Sequence, residues 1–87
     1  MGRVKPYAVV WSALAMDQMS KIDPSIRRRI SAKVDQAATN PSRFAMRVVG
    51  SPHHRLRVGD WRVILHVDQG MVTVLVLEVK HRRVAHR

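Results

Sequence analysis

All five histidines of this chain fall between positions 53 and 86, in the same stretch as Arg55, Arg57, Arg62, Arg82, Arg83 and Arg87. An imidazole moves protons near neutral pH, and a guanidinium neutralises charge as it builds on phosphorus. Together these are the materials of phosphodiester cleavage. His53, Arg55, Arg57, His81 and Arg83 are candidates for holding phosphate or RNA beside the chemistry. A basic, solvated sheet surface accounts for the same residues equally well on composition alone. A metal site is a third reading, drawing on His53-His54 with His66, His81 or His86. Carboxylates are sparse there and no familiar ligand spacing appears, so no metal and no cofactor is expected.

The elements that must position these groups are legible in the pattern. Three strands are expected near Arg55–Val58, Trp61–Val67 and Met71–Val79, joined by the loops Gly59-Asp60 and Asp68-Gln69-Gly70. In the middle strand Trp61, Val63, Leu65 and Val67 point one way, and Arg62, Ile64 and His66 the other. The apolar side should meet helices, leaving Arg62 and His66 on an open face. Met71–Val79 is apolar on both faces apart from Thr73 and Glu78, which marks an interior strand.

Upstream, Val4–Trp11 reads as a first strand. Ser12 caps a short helix with Ala15, Met16, Met19 and Ile22 along its buried face. Asp23-Pro24 starts a second helix that runs to about Thr39, buries Ile26, Ile30, Val34 and Ala37, and stops at Asn40-Pro41. Pro41–His54 reads mostly as loop, and Arg27-Arg28-Arg29 as a solvated helix face. The order β-α-α-β-β-β predicts an α+β domain over residues 1–87, two helices packed on one face of a small, mainly antiparallel sheet.

Sixteen Lys and Arg stand against six Asp and Glu, a net charge of +10. Each half of the chain, 1–44 and 45–87, carries eight basic and three acidic residues, so the excess belongs to the folded body. Such a field concentrates polyanions, and nucleic acid or an acidic protein is the expected partner. The chain has no cysteine, which excludes a disulfide framework and a thiolate zinc site and fits a cytoplasmic location. Arg3, Lys5 and the run Tyr7–Met16 imitate a secretion signal ending at Ala13-Leu14-Ala15, but cleavage there would strip the small core of a strand. No apolar stretch approaches the roughly 20 residues that span a membrane.

The run Leu56-Arg57-Val58-Gly59-Asp60-Trp61-Arg62-Val63-Ile64, followed by Val74-Leu75-Val76-Leu77-Glu78-Val79-Lys80-His81-Arg82-Arg83, resembles the RelE/ParE superfamily of toxins from type II toxin–antitoxin pairs. It is most similar to the RelE-like branch. The resemblance extends to Met19-Ser20-Lys21-Ile22-Asp23 and Arg47-Val48-Val49-Gly50, and its length suits one toxin domain. It implies a RelE-like fold and a metal-independent endoribonuclease that cuts messenger RNA in the ribosomal A site. A ribose 2′-hydroxyl would attack the adjacent phosphate, leaving a cyclic phosphate and a free 5′-hydroxyl.

The resemblance also implies roles. Arg62 matches the arginine that holds the scissile phosphate, Arg82 a second arginine at the end of the last strand, and Arg55 and His53 fall where relatives place basic residues. His86 stands where many members carry a tyrosine, which makes it the third candidate catalytic residue. Lys80 and Val84 replace a frequent glycine and aspartate, and Ser51–His54 is a shortened loop. These departures bear on the general base. The implied partners are the ribosome with its messenger RNA and a cognate acidic antitoxin, joined in a toxin–antitoxin hetero-oligomer. Two rival functions remain open: a ParE-like, non-enzymatic poison of DNA gyrase, and a degenerate RNA-binding module.

Overall fold

Both long helices begin where the chain offers a side-chain oxygen to their first free N–H groups. In the computed structural model, which describes residues 6–85, Ser12 Oγ accepts the Ala15 N–H at 3.0 Å and opens α1 (Ala13–Ser20). Asp23 accepts from the Ser25 N–H at 2.9 Å and the Ser25 hydroxyl at 2.8 Å, with Pro24 in the first turn of α2 (Pro24–Ala37). Those bonds, the hydroxyl's first and the backbone's second, hold the Asp23 carboxyl below its ordinary pKa.

The strands are β1 (Ala8–Trp11), β2 (Met46–Arg47), β3 (His54–Val58), β4 (Trp61–Asp68) and β5 (Thr73–His81). They form one sheet in the order β1-β5-β4-β3-β2, with β1 parallel to β5 and every other pair antiparallel. β5 is interior, as its apolar run requires. Two short helices complete the described chain, α3 (Pro41–Phe44) and α4 (Arg82–Ala85). The expected Pro41–His54 loop is therefore part helix and part strand. Pro41 starts α3, and Met46-Arg47 pairs with Arg55 and His54.

The core lies between the helices and one face of the sheet. Ile30, Val34 and Ala37 of α2 and Ala15 and Met19 of α1 meet Leu56, Val58, Val63, Leu65, Val74, Val76 and Val79. Each fully buried Val, Leu or Ile contributes about 1.5–3 kcal/mol relative to exposure. Ile26 is half-buried rather than buried, and Met16 is 62% exposed. α1 packs by the narrow stripe Ala15 and Met19, with Ile22 buried just beyond its end, and Met16 stands about 100° round the helix from Ala15. Trp11 and Trp61 are half-buried against this core, as their strand positions predict. The imitation signal-cleavage site lies within α1, with Ala15 wholly buried.

The Gly59-Asp60 hairpin is as expected: Val58 pairs with Trp61 and Gly59 takes φ +58°, the positive φ at the first loop position that a type II′ turn needs. The next loop differs. Asp68 pairs with Thr73, so it spans 69–72, and the left-handed residue is Val72 at φ 49°.

Candidate nucleic-acid interface

The sheet face away from the helices is uncovered, and its register fixes what it shows. Arg57 pairs with Arg62 and Arg62 with Lys80; Arg55 pairs with Ile64 and Ile64 with Glu78; His66 pairs with Leu75. Paired residues share a face, and alternate residues along a strand do too. Since Leu56, Val63 and Val79 are buried, the rows on either side of them face outward. Ile64 is thus the hub of an open face, with Arg62 and His66 before and after it on β4, and Arg55 and Glu78 across from it. His53 stands edge-on to His66, ring centroids 6.0 Å apart.

A register shift in β5 is what gives Glu78 this position. Ile64 opposes Glu78 but Leu65 opposes Val76, so Leu77 is an extra residue and the pleat changes parity there. Val74 and Val76 are buried, and after the bulge it is Val79, not Glu78, that is buried. Glu78 instead meets Lys80 in an ion pair at 3.3 Å on the open side.

At the β3–β4 turn, Arg57, Gly59, Asp60, Arg62 and Arg82 line a recess of about 280 Å³. α4 begins here because the Arg82 N–H donates to the Asp60 carbonyl at 2.7 Å, and the Arg82 guanidinium stands 3.8 Å from the Asp60 carboxylate. Arg29 reaches the same turn from α2: a Cβ at Gly59 would lie 3.5 Å from its Nη2. Several guanidiniums around one recess are suited to a phosphate, which they neutralise and orient through fork-like donors.

The candidate residues are therefore sorted by the fold. Arg55, Arg57, Arg62 and His53 share the open face, and Arg82 joins them at the recess. His81 does not. It pairs with Trp61 on the helix side, where the rings meet edge-to-face at 5.0 Å, and its Nδ1 accepts the Arg83 N–H at 3.2 Å. Arg83 is exposed on α4 and does not line the recess. His86 lies outside the described residues. Among the described residues no three His, Asp or Glu side chains cluster to hold a metal ion.

Two groups on this surface, His66 and Glu78, and Arg29 beside its turn are not marked as RNA-binding residues by the sequence. Arg29 belongs to a charged helix face, and nothing local signals that it reaches the turn. His66 was placed on the open face by alternation, and its packing against His53 singles it out. Glu78 depends on the bulge, which the apolar run around it conceals.

A hollow of about 640 Å³ lies at the other end of the sheet, lined by Tyr7, Asn40, Arg47, His54, His66 and Asp68 among others. His54 faces the helix side beside Arg47, its Nδ1 buried without a hydrogen-bond partner among the described residues. Burial, then the charge of Arg47, then His66 push its pKa down, so the ring is neutral at pH 7.

Fold and surface together define a small α+β protein that presents cations from an open sheet face. Residues 9–85 match the family model described as the ParE toxin of the type II toxin–antitoxin system, parDE, and the chain belongs to that family, within the RelE/ParE superfamily. It is similar to a chain of the RelBE2 toxin–antitoxin complex of Mycobacterium tuberculosis, at 25% identity and TM-score 0.80, over 90% of this chain and 100% of that one. A chain of the intact Escherichia coli RelBE complex matches at 19% identity and TM-score 0.78, over 86% of this chain and 95% of that one. The YoeB/ParE toxin from Agrobacterium tumefaciens matches at 16% identity and TM-score 0.65, over 85% and 96%. No curated protein matches by sequence. The protein is a type II toxin of RelE-like fold.

Proposed function

We propose that this toxin is an endoribonuclease that cuts messenger RNA in the ribosomal A site and so arrests translation in the cytoplasm. The observation that carries this reading is the convergence of Arg55, Arg57, Arg62 and Lys80 on one open sheet face, with Arg82 at its edge. Arg62 and Arg82 would stabilise charge on the reacting phosphate, while Arg55, Arg57 and His53 hold flanking RNA. Guanidiniums in fixed positions act most strongly on charge that develops in the transition state. The acidic partner that the +10 charge calls for is an antitoxin that covers this face and silences it.

Primer extension on a defined messenger RNA, with and without programmed ribosomes, tests the reading. New 5′ ends inside A-site codons, seen only with ribosomes and lost in Arg62→Ala, are expected. Cuts without ribosomes would make it a free ribonuclease. The family model favours one second reading, since its description is that of a ParE toxin: a non-enzymatic inhibitor of DNA gyrase. Toxicity with no RNA cuts in either tube, and inhibited supercoiling by purified gyrase, would establish that reading instead.

A further inference from the structure

Arginine neutralises charge on phosphorus but does not take up protons near neutral pH, so among the described residues the arginine cluster leaves the proton transfers unassigned. We propose that Glu78 and His66 are the base and acid of the cleavage, acting on the reacting phosphate that Arg62 holds beside Ile64, with Arg55 on the flanking RNA across from it. The assignment rests on the endoribonuclease reading and supplies what that reading lacks.

The register places the four groups around one apolar platform. Glu78 and Arg55 are the two cross-strand partners of Ile64, while Arg62 and His66 are its neighbours along β4. Cross-strand partners lie about 5 Å apart and same-face neighbours about 6.6 Å apart, within side-chain reach of a single phosphate. Glu78 and His66 approach the centre from different sides, as a displacement with separate entering and leaving oxygens requires. Among the described residues, the other charged or titratable groups of this face are Arg57 on β3, His53 just before that strand, Asp68 at the end of β4 and Lys80 on β5. His53 is packed edge-on against His66, and Lys80 is paired with Glu78 at 3.3 Å, so each proton-transfer group has a neighbour that orients it.

The bulge at Leu77 is the second observation. On an unbroken strand, Glu78 would continue the buried series Val74, Val76 and point into the core. The extra residue re-aims it onto the open face, a use of bulges that recurs beside active sites. The shifted backbone is tied from behind, by Ser12 Oγ donating to the Leu77 carbonyl at 2.8 Å and Gln18 Oε1 accepting the Val79 N–H at 2.6 Å.

The step balances without a cofactor. Glu78 accepts the proton of the ribose 2′-hydroxyl as that oxygen bonds to phosphorus. The P–O5′ bond breaks, its electron pair leaves with O5′, and protonated His66 gives that oxygen a proton. The products are a 2′,3′-cyclic phosphate and a 5′-hydroxyl, and solvent returns both side chains to their starting states.

A messenger RNA carrying sulfur in place of O5′ at the scissile A-site bond separates the roles, because a thiolate leaves without a proton. On programmed ribosomes, His66→Ala should cut the natural RNA at least roughly a hundred-fold more slowly than wild type and the sulfur RNA within a few-fold of it. Glu78→Gln should be slowed on both RNAs. If His66→Ala is equally slow on both while melting like wild type, or if Glu78→Gln is the variant rescued by sulfur, the assignment is overturned. Should His66→Ala fail to fold, the wild-type pH–rate profile decides: sulfur must remove the limb that reports the acid, and an unchanged profile overturns the proposal. Wild type inert on both RNAs, with or without ribosomes, would instead overturn the nuclease reading and this assignment with it.

Discussion

The Ser12 hydroxyl donates to the Leu77 carbonyl at 2.8 Å, a bond across 65 positions of sequence that joins the cap of α1 to the bulge of β5. The same oxygen accepts the Ala15 N–H, so one side chain starts the helix and closes the strand edge that β1 leaves bare after Trp11. Ser12→Ala removes both bonds. A cap loss costs about 0.5–2 kcal/mol and an unsatisfied carbonyl about 1–3 kcal/mol if water cannot reach it. A destabilisation of roughly 2 kcal/mol or more is expected in urea unfolding; a loss below about 0.5 kcal/mol would show that water replaces the hydroxyl.

How much of this was written locally differs from residue to residue. The caps at Ser12 and Asp23, the Gly59-Asp60 turn, and the sidedness of β4 each depend on a few adjacent residues, and the structure reproduces them. α3 and β2 are too short to show periodicity, and Met46-Arg47 is a strand only because β3 lies beside it. Glu78 and Arg29 depend on tertiary geometry: the first on one extra residue hidden in an apolar run, the second on where α2 passes the hairpin. Arg62 and His66 were legible as sharing a face, whereas the recess that gathers Arg57, Arg62 and Arg82 needs the Asp60–Arg82 backbone bond to form.

Val72 offers a test of strain. It sits at φ 49° in the β4–β5 loop, a region where a Cβ crowds the backbone and a branched side chain is costly, by about 1–2 kcal/mol. Glycine at this position relieves the crowding but adds freedom to the unfolded chain, which returns up to about 1 kcal/mol. Val72→Gly should therefore be neutral to about 1 kcal/mol stabilising in thermal or urea unfolding, the reverse of an ordinary valine-to-glycine change in a strand.

His54 should make the fold acid-sensitive. Its folded pKa is depressed below the ordinary 6.5, first by burial and then by Arg47 and His66. Between the folded value and 6.5 the unfolded chain binds more protons than the native one, so stability rises with pH across that window and is lost as pH falls through it. Replacing His54 with Gln should flatten the dependence of the unfolding midpoint on pH below about 6.5. A dependence unchanged in the variant would assign the effect to another group.

Asp60 partners Arg82 within the recess, and removing it separates the hairpin's structure from its charge. The Arg82 N–H bonds the Asp60 backbone carbonyl, which any residue supplies, and the exposed carboxylate–guanidinium pair at 3.8 Å contributes at most about 1 kcal/mol. Asp60→Ala should thus leave the melting temperature nearly unchanged. It deletes the recess's carboxylate, so affinity for single-stranded RNA should rise at low salt. Arg57→Ala, by contrast, should weaken binding and reduce the slope of log affinity against log salt by about 0.7, the contribution of one phosphate contact on a single strand. Filter binding across a salt series distinguishes the two. If Asp60→Ala weakens binding instead, the Arg82 guanidinium needs its carboxylate to point into the recess, and Asp60 is part of the RNA-binding surface.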